Sequence, residues 1–256
     1  MIREEFYNGI IIQEYEEYMG ERPFYGVLGI PESGLVSSIA TSHLINMLGL
    51  KEVGGIDSIR YFPPVTVVHN GDPKPPMRIF YKDHVMAIVS EVPINPSGVH
   101  PLMIALIDYL QKKRCDHIIV PMGIAVPNRM EIEKPSVYWI VSRKESEELV
   151  KNLNAKRLEE GFLAGPYAVL LKEARRRGVS AVLLMAESFL EFPDPAAAAA
   201  VLDVMSKILN VEIDVKPLLE KAEEIRLKTR ELMQHTRHML TQMKKGYEQQ
   251  MPLMYV

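Results

Sequence analysis

Apolar positions along the chain change period repeatedly between Ile10 and about Asn210, with short β-rich runs followed by longer stretches spaced by three and four. That switching predicts strands fed by crossover helices in an α/β sheet. Residues 24–30 read as a strand, and residues 35–48 as a helix with Leu35, Ile39, Leu44, Ile45 and Leu48 at its apolar positions. The turn between them is Gly29-Ile30-Pro31-Glu32-Ser33-Gly34. Residues 56–61, 66–69, 78–81 and 85–92 read as short strands, some antiparallel, broken by Pro63-Pro64, Asn70-Gly71-Asp72-Pro73 and Lys82-Asp83. A helix over residues 101–113 leads into a strand over 118–122, and the run 137–142 follows a proline-containing loop, so a further βαβ-like unit is expected.

Residues 165–177 have helical periodicity, Arg175-Arg176-Arg177-Gly178 supplies a cationic last turn and a glycine stop, and residues 180–185 then read as a buried parallel strand. Asp194 is placed to cap, and Pro195 to open, an alanine-rich helix ending near Asn210. Beyond Val215 the chain is charged and lacks internal glycine and proline after Pro217, which predicts one long helix to Lys245. Leu218, Ala222, Ile225, Thr229, Leu232, Thr236, Met239 and Met243 line one face of it at a period near 3.5. That stripe needs a partner surface, on its own domain or on a sister subunit. The expected architecture is therefore α/β, a mostly parallel or mixed sheet flanked by helices, with a long C-terminal helix and a flexible tail. Residues 1–214 form the core domain, 215–250 the helical extension and 251–256 the tail.

The length of 256 residues suits one large domain, and 47% hydrophobic with 25% charged residues is enough to bury a full core. A net charge of -3 gives no overall field favouring nucleic acid or an anionic membrane. The lone Cys115 excludes an intrachain disulfide framework and a multi-thiolate zinc site. The acidic N-terminal stretch and the lack of a long apolar run predict a cytoplasmic protein that is neither exported nor membrane-spanning.

Local chemistry is sparse. The turn of residues 29–34 precedes a helix and could cradle an anion, but it lacks the lysine of a P-loop and the three-glycine dinucleotide fingerprint. Glu91 and Glu187 end strands, where open α/β sheets place ligands, and could share a pocket with Ser33 and His100. His235 and His238 lie three apart on the long helix without further ligands at fixed spacing, so a solvated face is expected and no metal. Cys115 reads as a packing or surface residue.

The end of the sequence is less ordinary. After Gly246 and Pro252 come four apolar residues, Leu253, Met254, Tyr255 and Val256, whose exposure costs solubility unless something receives them. They could dock on the protein's own core, or be captured by another protein with an apolar pocket for Met254, a hydrogen bond for the Tyr255 hydroxyl and a cation for the Val256 carboxylate.

Met254-Tyr255-Val256 is similar to the hydrophobic-tyrosine-any residue ending with which proteasome activators and assembly chaperones enter pockets between α-subunits of the proteasome core particle. The runs Gly165-Pro166-Tyr167-Ala168-Val169-Leu170-Leu171-Lys172-Glu173-Ala174, Arg177-Gly178-Val179-Ser180-Ala181 and Pro193-Asp194-Pro195-Ala196-Ala197-Ala198, with Gly29-Ile30-Pro31 and Gly34-Leu35-Val36, resemble the archaeal proteasome assembly chaperone family of Pba type. The resemblance implies a domain like that of purine nucleoside phosphorylases, a helical C-terminal addition, a homo-oligomer, and ATP-independent binding to the proteasome α-ring without catalysis or cofactor. It assigns partner binding to Met254, Tyr255 and Val256, with Leu253 and Pro252 as supporting tail. Glu32 and Ser33 depart from the small residues of that family's first turn. The competing expectation is an enzyme acting on a nucleoside or phosphate ligand at residues 29–34.

Overall fold

A computed structural model describes residues 3–18, 22–230, 232–239 and 241. Twelve strands occur among them: β1 (Arg3–Tyr7), β2 (Ile10–Glu14), β3 (Tyr25–Gly29), β4 (Lys51–Asp57), β5 (Val67–His69), β6 (Asp72–Lys74), β7 (Met77–Lys82), β8 (Val85–Ser90), β9 (His117–Ala125), β10 (Val137–Val141), β11 (Lys156–Arg157) and β12 (Ala181–Ser188). The helices are α1 (Val36–Leu48), α2 (Pro96–Lys112), α3 (Pro166–Arg177), α4 (Pro195–Leu209), α5 (Lys216–Glu220) and α6 (Ala222–Lys228).

Ten strands form one sheet in the order β1-β2-β4-β7-β8-β3-β9-β12-β10-β11, and β5 and β6 form a separate hairpin. The centre, β8-β3-β9-β12, is parallel. Antiparallel pairing adds β7, β4, β2 and β1 on one side and β10 on the other. The sheet is thus mixed, as the alternating periods predict.

Side chains of the central strands are buried on both faces. Met86 and Ile88 face a core completed by Leu102, Leu106 and Tyr109 of α2 and Tyr167 and Leu170 of α3. Val85, Ala87 and Val89 face the opposite core, with Leu44 of α1 and Val201, Leu202 and Met205 of α4. Each fully buried aliphatic side chain contributes about 1.5–3 kcal/mol, which is why near-continuous apolar runs become the middle strands.

Helix ends follow their local chemistry. Gly178 closes α3 at φ 68, and Asp194 caps α4 by accepting from Ala197 N–H at 3.0 Å, with Pro195 in the first position.

Three expected elements are displaced. The strand expected at 56–61 runs instead over Lys51–Asp57. Its two glycines answer close approach, since a Cβ on Gly54 would lie 2.3 Å from the Gln13 carbonyl oxygen and one on Gly55 2.2 Å from Pro75 Cγ. The helix expected from residue 101 begins at Pro96, leaving Pro101 inside it.

The long C-terminal helix is not continuous either. Lys221 (φ -101, ψ 19) and Thr229 (φ -96, ψ 3) leave the helical region and bound α6. The Thr229 hydroxyl donates back to the Ile225 carbonyl at 2.7 Å, a contact that bends helices. Hydrogen bonds from Thr229 N–H to Ile225 and from Met233 N–H to Thr229, both 2.9 Å, carry the turn onward. Leu218, Met233 and Thr236 are buried, and Ile225 and Leu232 pack against the α1/α4 core. Of the stripe, Leu218, Ile225 and Leu232 therefore meet the chain's own α1/α4 core.

Candidate functional site

The tail residues Pro252, Leu253, Met254, Tyr255 and Val256, like Met243 and the expected helix end at Lys245, lie outside the described residues. What is described is the segment leading to them. It is held by the burial of Leu218, Met233 and Thr236 and by an ion pair from Arg237 Nε to Glu191 Oε1 at 3.1 Å, which ties it to the loop after β12. Between this segment, α1 and the end of β8 runs a cleft of about 820 Å³, lined by Leu218, Ile225, Leu232 and Met239 on one side and by Ser38, His43, His69 and Glu91 on the other. His235 and His238 are exposed and line the same cleft. Among the described residues no three His, Cys, Asp or Glu side chains are placed to hold a metal ion.

The turn of residues 29–34 is built around its own acid. Gly34 takes φ 66 and Leu35 φ 50, and a Cβ on Gly34 would stand 3.0 Å from the Phe189 carbonyl oxygen. Glu32 points inward at 5% exposure. Its Oε1 accepts from Ser37 N–H and its Oε2 from Gly123 N–H, both at 3.0 Å. Burial pushes this carboxyl up to about 8, against the backbone N–H groups of Ser37, Gly123 and Val36, which favour the charged form. The first-turn amides that could cradle an external anion are therefore taken by a side chain of the same turn. The turn is filled by its own side chain, which takes away the anchor of the alternative, a nucleoside or phosphate enzyme at residues 29–34.

Two further contacts fix the same end of the sheet. The Tyr167 hydroxyl, buried behind Gly165-Pro166, accepts from Ile30 N–H at 2.6 Å, donates to the Leu28 carbonyl at 3.1 Å and lies 2.5 Å from Ser37 Oγ. Arg129 donates from Nε to Asp194 Oδ2 at 2.7 Å and from a terminal nitrogen to Oδ1 at 3.0 Å, with both side chains almost fully buried. Asp194 N–H in turn donates to the Gly34 carbonyl at 2.8 Å. Three loops are thereby locked together, and the Arg129 contact is not legible from local pattern because 65 residues separate the partners.

The strand-end carboxylates do not converge. Glu91 accepts from His69 Nε2 at 2.9 Å and from Arg78 Nε at 2.9 Å. Glu187 accepts from Ser136 N–H at 2.8 Å and from the Tyr138 hydroxyl at 3.4 Å. Their strands, β8 and β12, are separated by β3 and β9, which at about 4.8 Å per spacing is about 14 Å. His100 is exposed on α2, and Ser33 is half-buried in a 3-10 turn. No shared pocket forms from Glu91, Glu187, Ser33 and His100. The Cys115 thiol donates to the His117 carbonyl at 3.2 Å, and burial pushes it up to about 12, so it is a packing residue.

Residues 26–233 match the PAC2 family. The chain belongs to that family. Pyrococcus furiosus PbaA, described as an archaeal homolog of proteasome-assembly chaperone, superposes with a TM-score of 0.81 at 28% identity, covering 90% of this chain and 98% of that one. P. furiosus PbaB, described as an archaeal proteasome activator, gives 0.73 at 25% identity, covering 88% and 98%. A Methanocaldococcus jannaschii protein of uncharacterised role is 28% identical over 219 residues, 85% of this chain and 88% of its own. The PAC2 likeness extends over the Glu32 turn, the Tyr167 contact and the Arg129–Asp194 pair, all of which lie within the matched span.

Proposed function

We propose that this PAC2 chain is a proteasome-associated factor, an ATP-independent homo-oligomer that binds the α-ring of the core particle through its C-terminal tails. The observation that carries the reading is the likeness to PbaA and PbaB over 90% and 88% of this chain, one described as an assembly-chaperone homolog and the other as a proteasome activator. Met254 would enter an apolar pocket between α-subunits, Tyr255 would supply a hydroxyl, and Val256 a carboxylate for a lysine, with Leu253 and Pro252 supporting.

Three side chains bury too little area to bind tightly once their ordering is counted. Several tails on one oligomer raise the effective concentration at the remaining pockets, so weak grips add up. A well-anchored root helps, and Met233, Thr236 and the Arg237–Glu191 pair hold the segment against the body. The occupied Glu32 turn argues against the competing enzyme.

The test is binding of the full chain to purified α-rings, beside a chain lacking residues 254–256 and a Tyr255→Ala chain. Both variants should lose ring binding while sedimenting as the same oligomer. Retained binding by either one overturns the tail reading.

A further inference from the structure

At the opposite end of the sheet from Glu32, the run Arg177-Gly178-Val179-Ser180-Ala181 places Ser180 immediately before β12, beside His117 at the start of β9. Ser180 Oγ lies 2.8 Å from His117 Nδ1 and 2.7 Å from Ser146 Oγ, so the three side chains form one hydrogen-bonded chain. They line a pocket of about 520 Å³ together with the cations Arg22 and Arg143 and the carboxylates Asp116 and Glu145. Ser146 is buried at 3% exposure. We infer that this pocket binds a phosphate-type oxyanion, free or as a small phosphomonoester, with Ser146 and His117 donating from the two ends of the chain and the guanidinium groups flanking it.

The argument is one of proton counting. A hydroxyl donates one hydrogen bond, and a neutral imidazole donates from one nitrogen and accepts at the other. If Ser146 donates to Ser180 and Ser180 to His117 Nδ1, then Nε2 is a donor while Ser146 has only lone pairs to offer. If the polarity is reversed, Ser146 donates outward and Nε2 becomes an acceptor. A neutral chain can therefore present a donor at one end only. With both imidazole nitrogens protonated, Nδ1 donates to Ser180, Ser180 to Ser146, and Ser146 and Nε2 both donate outward. Donors at both ends suit an oxyanion, so occupancy and protonation of His117 are coupled.

The surrounding charges fit this coupling. Burial holds the His117 imidazole below its ordinary value, while the Asp116 carboxylate opposes that shift. Tyr25 packs its ring 5.6 Å from the imidazole, and the Cys115 thiol is directed at the His117 carbonyl. Asp116 is committed by one oxygen to Phe24 N–H at 2.8 Å and meets Arg22 only at 3.6 Å. Arg143 spends one terminal nitrogen on the Gly178 carbonyl at 2.6 Å. Its pair with Glu145 is 3.3 Å long, with the glutamate 74% exposed. Such surface pairs are weak and yield readily to a bound dianion.

The experiment follows the His117 ring resonances of the full chain by NMR during titration with inorganic phosphate, methyl phosphate and sulfate at constant ionic strength. Sulfate keeps its charge across the neutral range, which separates protonation of the protein from that of the ligand. A saturable shift of the His117 signals is expected, with sulfate binding about tenfold tighter near pH 6 than near pH 8, the span of one pKa unit. Ser146→Ala and Arg143→Ala should each weaken it about tenfold or more while the amide spectrum shows the chain still folded at the titration temperature. Binding by phosphate but not methyl phosphate assigns the free ion, and binding by both assigns an ester site. A shift that does not saturate, or one unchanged in Arg143→Ala, overturns the site. The measurement is independent of the tail, so its outcome leaves the α-ring reading where it stands.

Discussion

The carboxylate of Glu32 reaches from the turn after β3 to the backbone of Gly123 in β9, accepting its N–H at 3.0 Å, while its other oxygen accepts from Ser37 at the start of α1. The neighbouring strand end leaves no room for anything larger than glycine there, since a Cβ on Gly123 would lie 2.4 Å from Ser188 Oγ.

That contact sets a pH dependence. In the unfolded chain Glu32 titrates at its ordinary value of 4.5, and in the folded protein burial pushes it up to about 8. Between those values the folded state holds a proton that the unfolded state has lost. The stability from this group is therefore full below the lower value and declines as pH rises through the upper one. Calorimetric melting of the wild type should fall relative to Glu32→Gln between about pH 5 and about pH 9. The variant itself should be destabilised by about 1–3 kcal/mol at the acid end, because its amide N–H₂ opposes a backbone donor. Parallel curves would show that the carboxyl stays ionised throughout.

Arg129 and Asp194 form the most deeply buried ion pair among the described residues, at 6% and 1% side-chain exposure. Removing one partner of such a pair leaves an uncompensated charge and costs about 3–5 kcal/mol. Arg129→Ala should show that loss in urea unfolding. Asp194→Asn keeps an acceptor for Ala197 N–H and so keeps the cap of α4, but loses the charge. The double variant should be less destabilised than the sum of the two singles. Strict additivity would mean that the pair contributes nothing beyond its separate hydrogen bonds.

Tyr167→Phe isolates a single oxygen. The ring stays in its core position, but Ile30 N–H loses the acceptor it has at 2.6 Å. An orphaned buried donor costs about 1–3 kcal/mol, so the urea midpoint should drop with an unchanged slope. A changed slope would mean that the turn after β3 has rearranged instead.

How far these contacts were legible in the sequence depended on their range. The Asp194-Pro195 start of α4 and the Gly178 stop of α3 are decided within one helical turn, and both stand as read. The β1–β2 hairpin also carries a local signal, Asn8 at φ 49 and Gly9 at φ 88 between its strands, which an apolar periodicity starting at Ile10 passes over. The strand expected at 56–61 starts earlier, at Lys51, because Gly54 and Gly55 answer to the backbone of Gln13 and to Pro75, neither of them local in sequence. Pro101 read as a helix start because nothing within the helix indicates that a proline is tolerated there. Glu32 stood out as unusual, yet its role became visible only with Gly123, 91 residues away, placed beside it. The tail reading comes from the last residues and from resemblance, and those residues lie outside the described ones.

Met233 offers a way to separate the tail from its root. It is buried at 3% against the α1/α4 core, between the bend at Thr229 and the buried Thr236. Truncation to alanine should cost about 2–5 kcal/mol, the range for a buried methionine. The cost should fall on this segment first, because among described residues α5 and α6 touch the body through far fewer buried side chains than the central strands do. Hydrogen exchange in Met233→Ala should therefore speed up across residues 216–239 while β3, β8, β9 and β12 stay protected. If a fixed root matters for presenting several tails at once, α-ring binding by this variant should weaken even though Met254, Tyr255 and Val256 are intact. Faster exchange with unchanged ring affinity would show that the tails act without help from the helix that carries them.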